Sequence, residues 1–113
     1  MKAQDIFKVI SVAALISASS IGSAVQYHTN KNVGQLSSTY DGADCFYFTL
    51  AGVGEADPVK PGDPNFAIPR TQYGAKDAYA MLLSAKLTGR AVTVMTRGTI
   101  SCGYASVAQI FFE

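Results

Sequence analysis

The segment GAKDAYAMLLSAKLTG, residues 74–89, decides how the chain is read. Ala75, Ala78, Tyr79, Leu82, Leu83, Ala85 and Leu87 recur at intervals of three and four, which predicts a helix. Lys86 near its end and the Thr88-Gly89 stop mark the C-terminus, because glycine adopts the left-handed cap without a Cβ penalty. On either side the periodicity changes. Residues 45–50, CFYFTL, and residues 91–96, AVTVMT, are rich in β-formers and alternate as strands do.

In the first strand Phe46, Phe48 and Leu50 share one face and are expected in the core, with Cys45, Tyr47 and Thr49 opposite. Upstream, Val25–Tyr40 is polar and predicts one strand of loose limits before an Asp41-Gly42 turn. From Gly52 to Arg70 the texture becomes that of a loop. All four prolines, Pro58, Pro61, Pro64 and Pro69, fall here, and each removes a backbone donor and stiffens the chain. Phe66-Ala67-Ile68 predicts a short strand inside it. Downstream, Arg97-Gly98 predicts a turn, and residues 100–112 one or two further strands. The fold class is therefore mostly β with one helix, α+β. Five strands with a helix between the third and fourth is the order of the OB-fold, a small Greek-key barrel. A plain α+β sheet with the helix on one face is the alternative.

Residues 1–24 have the pattern of a cleaved signal peptide. Lys2 and Lys8 precede an apolar run from Val9, and Gly22-Ser23-Ala24 supplies the small residues before a cut after Ala24. The run is interrupted by serines and falls short of the roughly 20 apolar residues of a spanning helix, so no stable membrane insertion is expected. Residues 25–113 then form a single domain, secreted or periplasmic. Its charges balance, since the leader removes Lys2, Lys8 and Asp5 from nine basic and eight acidic residues. The remaining cations are scattered, which argues against nucleic acid as a partner. Cys45 and Cys102 are the two cysteines, and in an oxidising compartment the pair is expected to form one disulfide.

No reaction is legible, and the chain is read as a non-enzyme without a cofactor. His28 is the single histidine and lies in a polar stretch expected at the surface, so neither a zinc site nor a Cys–His couple is predicted. Asp41, Asp44, Glu55 and Asp57 are read as turn and loop residues. Gly52 and Gly54 lack the lysine of a phosphate loop.

The helix is apolar nearly all round, with only Lys76, Asp77 and Lys86 charged between Ala75 and Leu87. Such a helix is usually covered on more than one side, so a homo-oligomer is expected, with Tyr79, Met81, Leu82 and Leu83 as contact candidates. Residues 79–94, YAMLLSAKLTGRAVTV, with the aromatic strand Phe46-Tyr47-Phe48, resemble the B subunits of the bacterial subtilase cytotoxin and typhoid toxin families. The resemblance covers about half of the chain beyond the leader. It implies an OB-fold, a ring of five protomers and binding of cell-surface glycans. It does not extend to the Gly52–Arg70 loop, and it carries no sugar-binding residue over to a position here. Tyr27, Tyr40, Tyr73 and Tyr104 are the candidate ligand-binding residues, because aromatic faces pack on sugar rings. The competing reading is a free-standing periplasmic or secreted OB-fold domain that binds a protein partner through the proline-stiffened loop.

Overall fold

A computed structural model describes residues 25–38 and 44–112. The expected leader, Tyr40 and the Asp41-Gly42 turn lie outside the described residues. Along the chain run β1 (Tyr27–Lys31), β2 (Val33–Ser37), β3 (Cys45–Leu50), β4 (Phe66–Pro69), α1 (Ala75–Thr88), β5 (Val92–Ser101) and β6 (Tyr104–Phe112). All strands join one sheet in the order β1-β5-β6-β4-β3-β2. Every neighbouring pair is antiparallel except β4 and β6, which run parallel. Among the described residues the fold is mostly β with one helix, but the sheet has six strands and is open, not the five-stranded closed barrel expected.

The difference arises in the segment read as one first strand. Asn30 adopts a left-handed φ of 54°, and the pairing registers slip between His28 and Lys31 and between Val33 and Leu36. The strand therefore breaks at Asn32. β1 pairs with β5, and β2 pairs with β3. These two halves occupy opposite ends of the strand order. In a flat sheet, five spacings would separate them by about 24 Å. Two Cα steps, from Lys31 to Val33, span at most about 7.6 Å. The sheet therefore curls and brings its two edge strands near each other at Asn32, but no ladder joins β1 to β2 and the sheet stays open. That corner is fixed by three bonds. The Asn32 carbonyl accepts the Ala51 N–H (2.8 Å), Asn32 Nδ2 donates to the Gly89 carbonyl (2.9 Å), and Lys86 Nζ donates to the Gly34 carbonyl (2.5 Å).

A second difference concerns the last hairpin. Arg97-Gly98 is not its turn. β5 continues through Ser101, with the irregularity absorbed between Thr96 and Ile100. The reversal comes at Cys102 and Gly103, with φ of 50° and 82°, and Ser101 pairs with Tyr104 across it. Two consecutive positive φ values match the twist of a two-residue hairpin.

Inside the curl, Phe46, Phe48, Leu50, Phe66, Ile68, Val92, Val94, Val107 and Leu82 are buried together, with Phe48 and Phe66 stacked at 4.8 Å. β3 is also covered on its other face, where Cys45, Tyr47 and Ala67 form a small cluster against Tyr104. The Cys45–Cys102 disulfide closes that cluster and ties the β5–β6 hairpin to β3. α1 buries Ala75, Leu82 and Ala85. It ends as the sequence predicts: Gly89 is left-handed, and the Arg90 N–H returns to the Ala85 carbonyl at 3.0 Å.

The proline-rich loop is pinned, not free. Ala56 is buried in the core, and its carbonyl accepts a hydrogen bond from His28 Nε2 (2.7 Å). The His28 ring sits edge-on to Phe66 at 5.4 Å, so the histidine expected at the surface is a half-buried clamp. Asp57, read as a turn residue, is 2% exposed. Its Oδ1 accepts the Val59 N–H (2.8 Å), and its Oδ2 accepts the Thr96 hydroxyl (2.5 Å). Lys60 Nζ donates to the Gly103 carbonyl, pairs with Asp63 (3.2 Å) and lies over the Tyr104 ring at 4.4 Å.

Candidate ligand-binding groove

β4 meets β6 in only two register pairs, Phe66 with Ala105 and Ala67 with Ser106. β4 then ends at Pro69, and the chain turns away. The Pro69 carbonyl accepts the Gln72 N–H (3.0 Å), and the Gln72 carbonyl accepts the Ala75 N–H (3.0 Å), which starts α1. Gly74, left-handed with a φ of 80°, makes the change of direction possible. Past Ser106, therefore, the flank of β6 faces α1 in place of a strand. A helix has no edge with which to complete a ladder, and a groove of about 160 Å³ remains between the two.

A bulge shapes the β6 wall. Met95 pairs with Gln109 and Thr96 with Val107, so Ala108 is the extra residue. The Val107 carbonyl accepts Gln72 Nε2 (3.2 Å) and Arg97 Nε (3.3 Å), which holds Gln72 at the groove. Ile68, Ala78 and Met81 provide apolar surface, and Gln72, Asp77 and Gln109 provide polar groups. Asp77 lies in the first turn of α1, where its carboxylate also complements the helix dipole. Tyr73 is fully exposed at the rim. The arrangement offers an unoccupied aromatic ring, a greasy floor and planar hydrogen-bonding groups within one concavity. Nothing in it activates a nucleophile.

No family model matches the chain, and no curated protein matches it significantly.

Of the described tyrosines expected to bind ligand, Tyr73 alone lines the groove. Tyr27 is 59% exposed but sits on β1 opposite Met95, and Tyr40 lies outside the described residues. Tyr104 is half-buried, edge-on to Tyr47 at 5.5 Å and beneath Lys60, so it is not a free stacking surface. The helix candidates also divide. Leu82 is wholly buried inside the protomer and offers nothing to a second copy. Tyr79 packs on Phe46 at 4.4 Å, and Met81 lines the groove. Leu83 is exposed, and with exposed Ala80, Ser84 and Leu87 (78%) it forms the uncovered stripe of α1. The contributions of Gln72 and Gln109 had no signal in the sequence, since both depend on where β4 stops.

Among the described carboxyls, Asp63 is the one whose surroundings shift it clearly. Asp63 is held below the ordinary carboxylate range, chiefly by the backbone N–H of Asn65, with further help from the Asn65 side chain and Lys60. It acts on the shape of the loop, away from the groove lining. Among the described residues no cluster of His, Cys, Asp and Glu could hold a metal, and no helix is long and apolar enough to cross a membrane.

Proposed function

We propose that this chain is an exported binding module that holds one saccharide ring in the groove between α1 and β6. The observation that carries the reading is Tyr73, a fully exposed ring at the rim of a concavity walled by Gln72, Asp77 and Gln109. A pyranose presents C–H faces that pack on an aromatic ring and hydroxyls that bond amides and carboxylates. At about 160 Å³ the groove is smaller than the roughly 300–1,000 Å³ of pockets for drug-sized ligands, which suits a single terminal ring. The Cys45–Cys102 bond supports export, because disulfides persist in oxidising compartments.

The strand order supports an OB-fold reading. Taking β1 and β2 as halves of one bent strand, divided only by Asn32, leaves five strands with the helix between the third and fourth. The kinship with toxin B subunits belongs to the same proposal. So does assembly into a homo-oligomer, a pentamer on the toxin pattern, with the Ala80, Leu83 and Leu87 stripe buried between copies.

The test is a glycan array probed with the oxidised, exported protein and its Tyr73→Ala variant, alongside native mass spectrometry. Binding that Tyr73→Ala weakens at least tenfold supports the reading. A folded protein that binds no glycan overturns it, and a monomer in that result would favour the free-standing interaction domain.

A further inference from the structure

We infer that the groove selects neutral sugar rings and rejects acidic ones; the inference rests on the saccharide reading above and adds the class of sugar. The lining contains one carboxylate, Asp77, and no Lys, Arg or His. Arg97, whose Nε is bonded to the Val107 carbonyl, flanks the wall but is not among the lining residues. Lys76 precedes Asp77 on the helix, and consecutive helical residues do not face the same way. A sugar carboxylate entering here would meet a like charge with no countercharge among the lining residues.

The hydrogen-bonding groups of the lining fit hydroxyls. An ionised carboxylate only accepts, so Asp77 requires donors from its ligand. Gln72 commits one amide N–H to Val107 and keeps its other N–H and its oxygen. The lining thus mixes acceptors, from Asp77 and the amide oxygens, with donors, from the remaining amide N–H groups of Gln72 and Gln109 and the Tyr73 hydroxyl. Hydroxyl groups satisfy such a set because each both donates and accepts. A ligand carboxylate only accepts, so it gives Asp77 no donor.

A matched pair of probes isolates the charge. Methyl hexosides and the corresponding methyl hexuronides share a ring and differ at C6, where a carboxylate replaces the hydroxymethyl group. Titration of the oxidised protein, followed by NMR shifts of groove amides, should give at least tenfold weaker binding for the uronide. Asp77→Asn, at an exposed position that should not disturb folding, should shrink that ratio to below threefold. Uronides bound as tightly as the neutral hexosides, with Tyr73→Ala abolishing both, would overturn the selectivity and leave the saccharide reading standing. Failure of every glycan, neutral or acidic, would instead overturn the saccharide reading itself. Neutral binding that neither Tyr73→Ala nor Asp77→Asn alters would remove the site from this groove.

Discussion

Replacing Asp57 with alanine should cost this protein a large share of its stability, although the residue lies in a proline-rich loop. The side chain is 2% exposed and accepts two hydrogen bonds, from the Val59 N–H and the Thr96 hydroxyl. Bonds to a charged group contribute about 1.5–3 kcal/mol each, and a buried donor left without a partner costs about 1–3 kcal/mol. The Thr96 hydroxyl is completely buried and falls in the expensive class. The Val59 bond closes an exposed turn and belongs at the low end. A loss of about 3–4 kcal/mol follows for Asp57→Ala. A domain of this size has about 4–13 kcal/mol in total, so the variant should stand near its folding threshold. Asp57→Asn is the control. It keeps an acceptor for the turn and places an amide beside Thr96, whose oxygen already accepts the Gln26 N–H at 3.1 Å but retains a second lone pair. Its cost should be about 1 kcal/mol. Equilibrium urea unfolding, disulfide intact, measures both. A change below 1 kcal/mol for Asp57→Ala would refute the idea that this carboxylate holds the loop to the sheet.

Removing the disulfide as Cys45→Ala/Cys102→Ala should destabilise by about 4 kcal/mol, the chain-entropy value for a separation of 57 residues, read from the same urea experiment. Leu82→Ala, at a fully buried site on α1, should cost about 2–5 kcal/mol. Leu87→Lys on the exposed stripe should leave monomer stability within about 0.5 kcal/mol, while native mass spectrometry shows any oligomer falling apart. Asp63 has a depressed folded-state pKa, so its contribution is complete above the unfolded value of about 3.9 and disappears as pH falls through the lower folded value. Acid urea titrations should show this component, and Asp63→Asn should flatten it.

The secondary structure was largely legible in the sequence, because α1, β3 and the first half of β5 have strong periodicity and clear stops. What escaped was set by tertiary pairing. Nothing in residues 27–37 marks Asn32 as the place where one strand becomes two, since the break follows from each half pairing with a different neighbour. Arg97-Gly98 has turn chemistry, yet the long β5–β6 pairing absorbs it as an irregularity and the hairpin reverses at Cys102-Gly103. Asp57 and His28 look like loop polar residues until the loop folds back over Phe66 and Thr96. Of the groove, the sequence marks Tyr73 as a ligand candidate, as one of four tyrosines whose faces could pack on a sugar ring. Helical spacing marks Leu82 and Leu83 alike as apolar, and only the packing separates the core residue from the exposed one.

The curled sheet leaves two ends to be covered, and the chain covers them by different chemistry. The loop before β4 closes one end with Ala56 in the core and with polar groups that satisfy each other: His28 with Ala56, Asp57 with Thr96, and Lys60 with Gly103. The segment after β4 closes the other end with α1, which packs through Leu82 and Ala85 but cannot complete the ladder along β6. Uncommitted hydrogen-bonding capacity therefore gathers at the helix end, beside a ring that packs on nothing. Stability and recognition should separate accordingly. Asp57→Asn should lower the unfolding midpoint without changing affinity at the groove, and Tyr73→Ala should change affinity without moving the midpoint. A Tyr73→Ala variant that loses stability as well as binding would mean that the exposed ring packs within the fold, and the division between the two ends would fail.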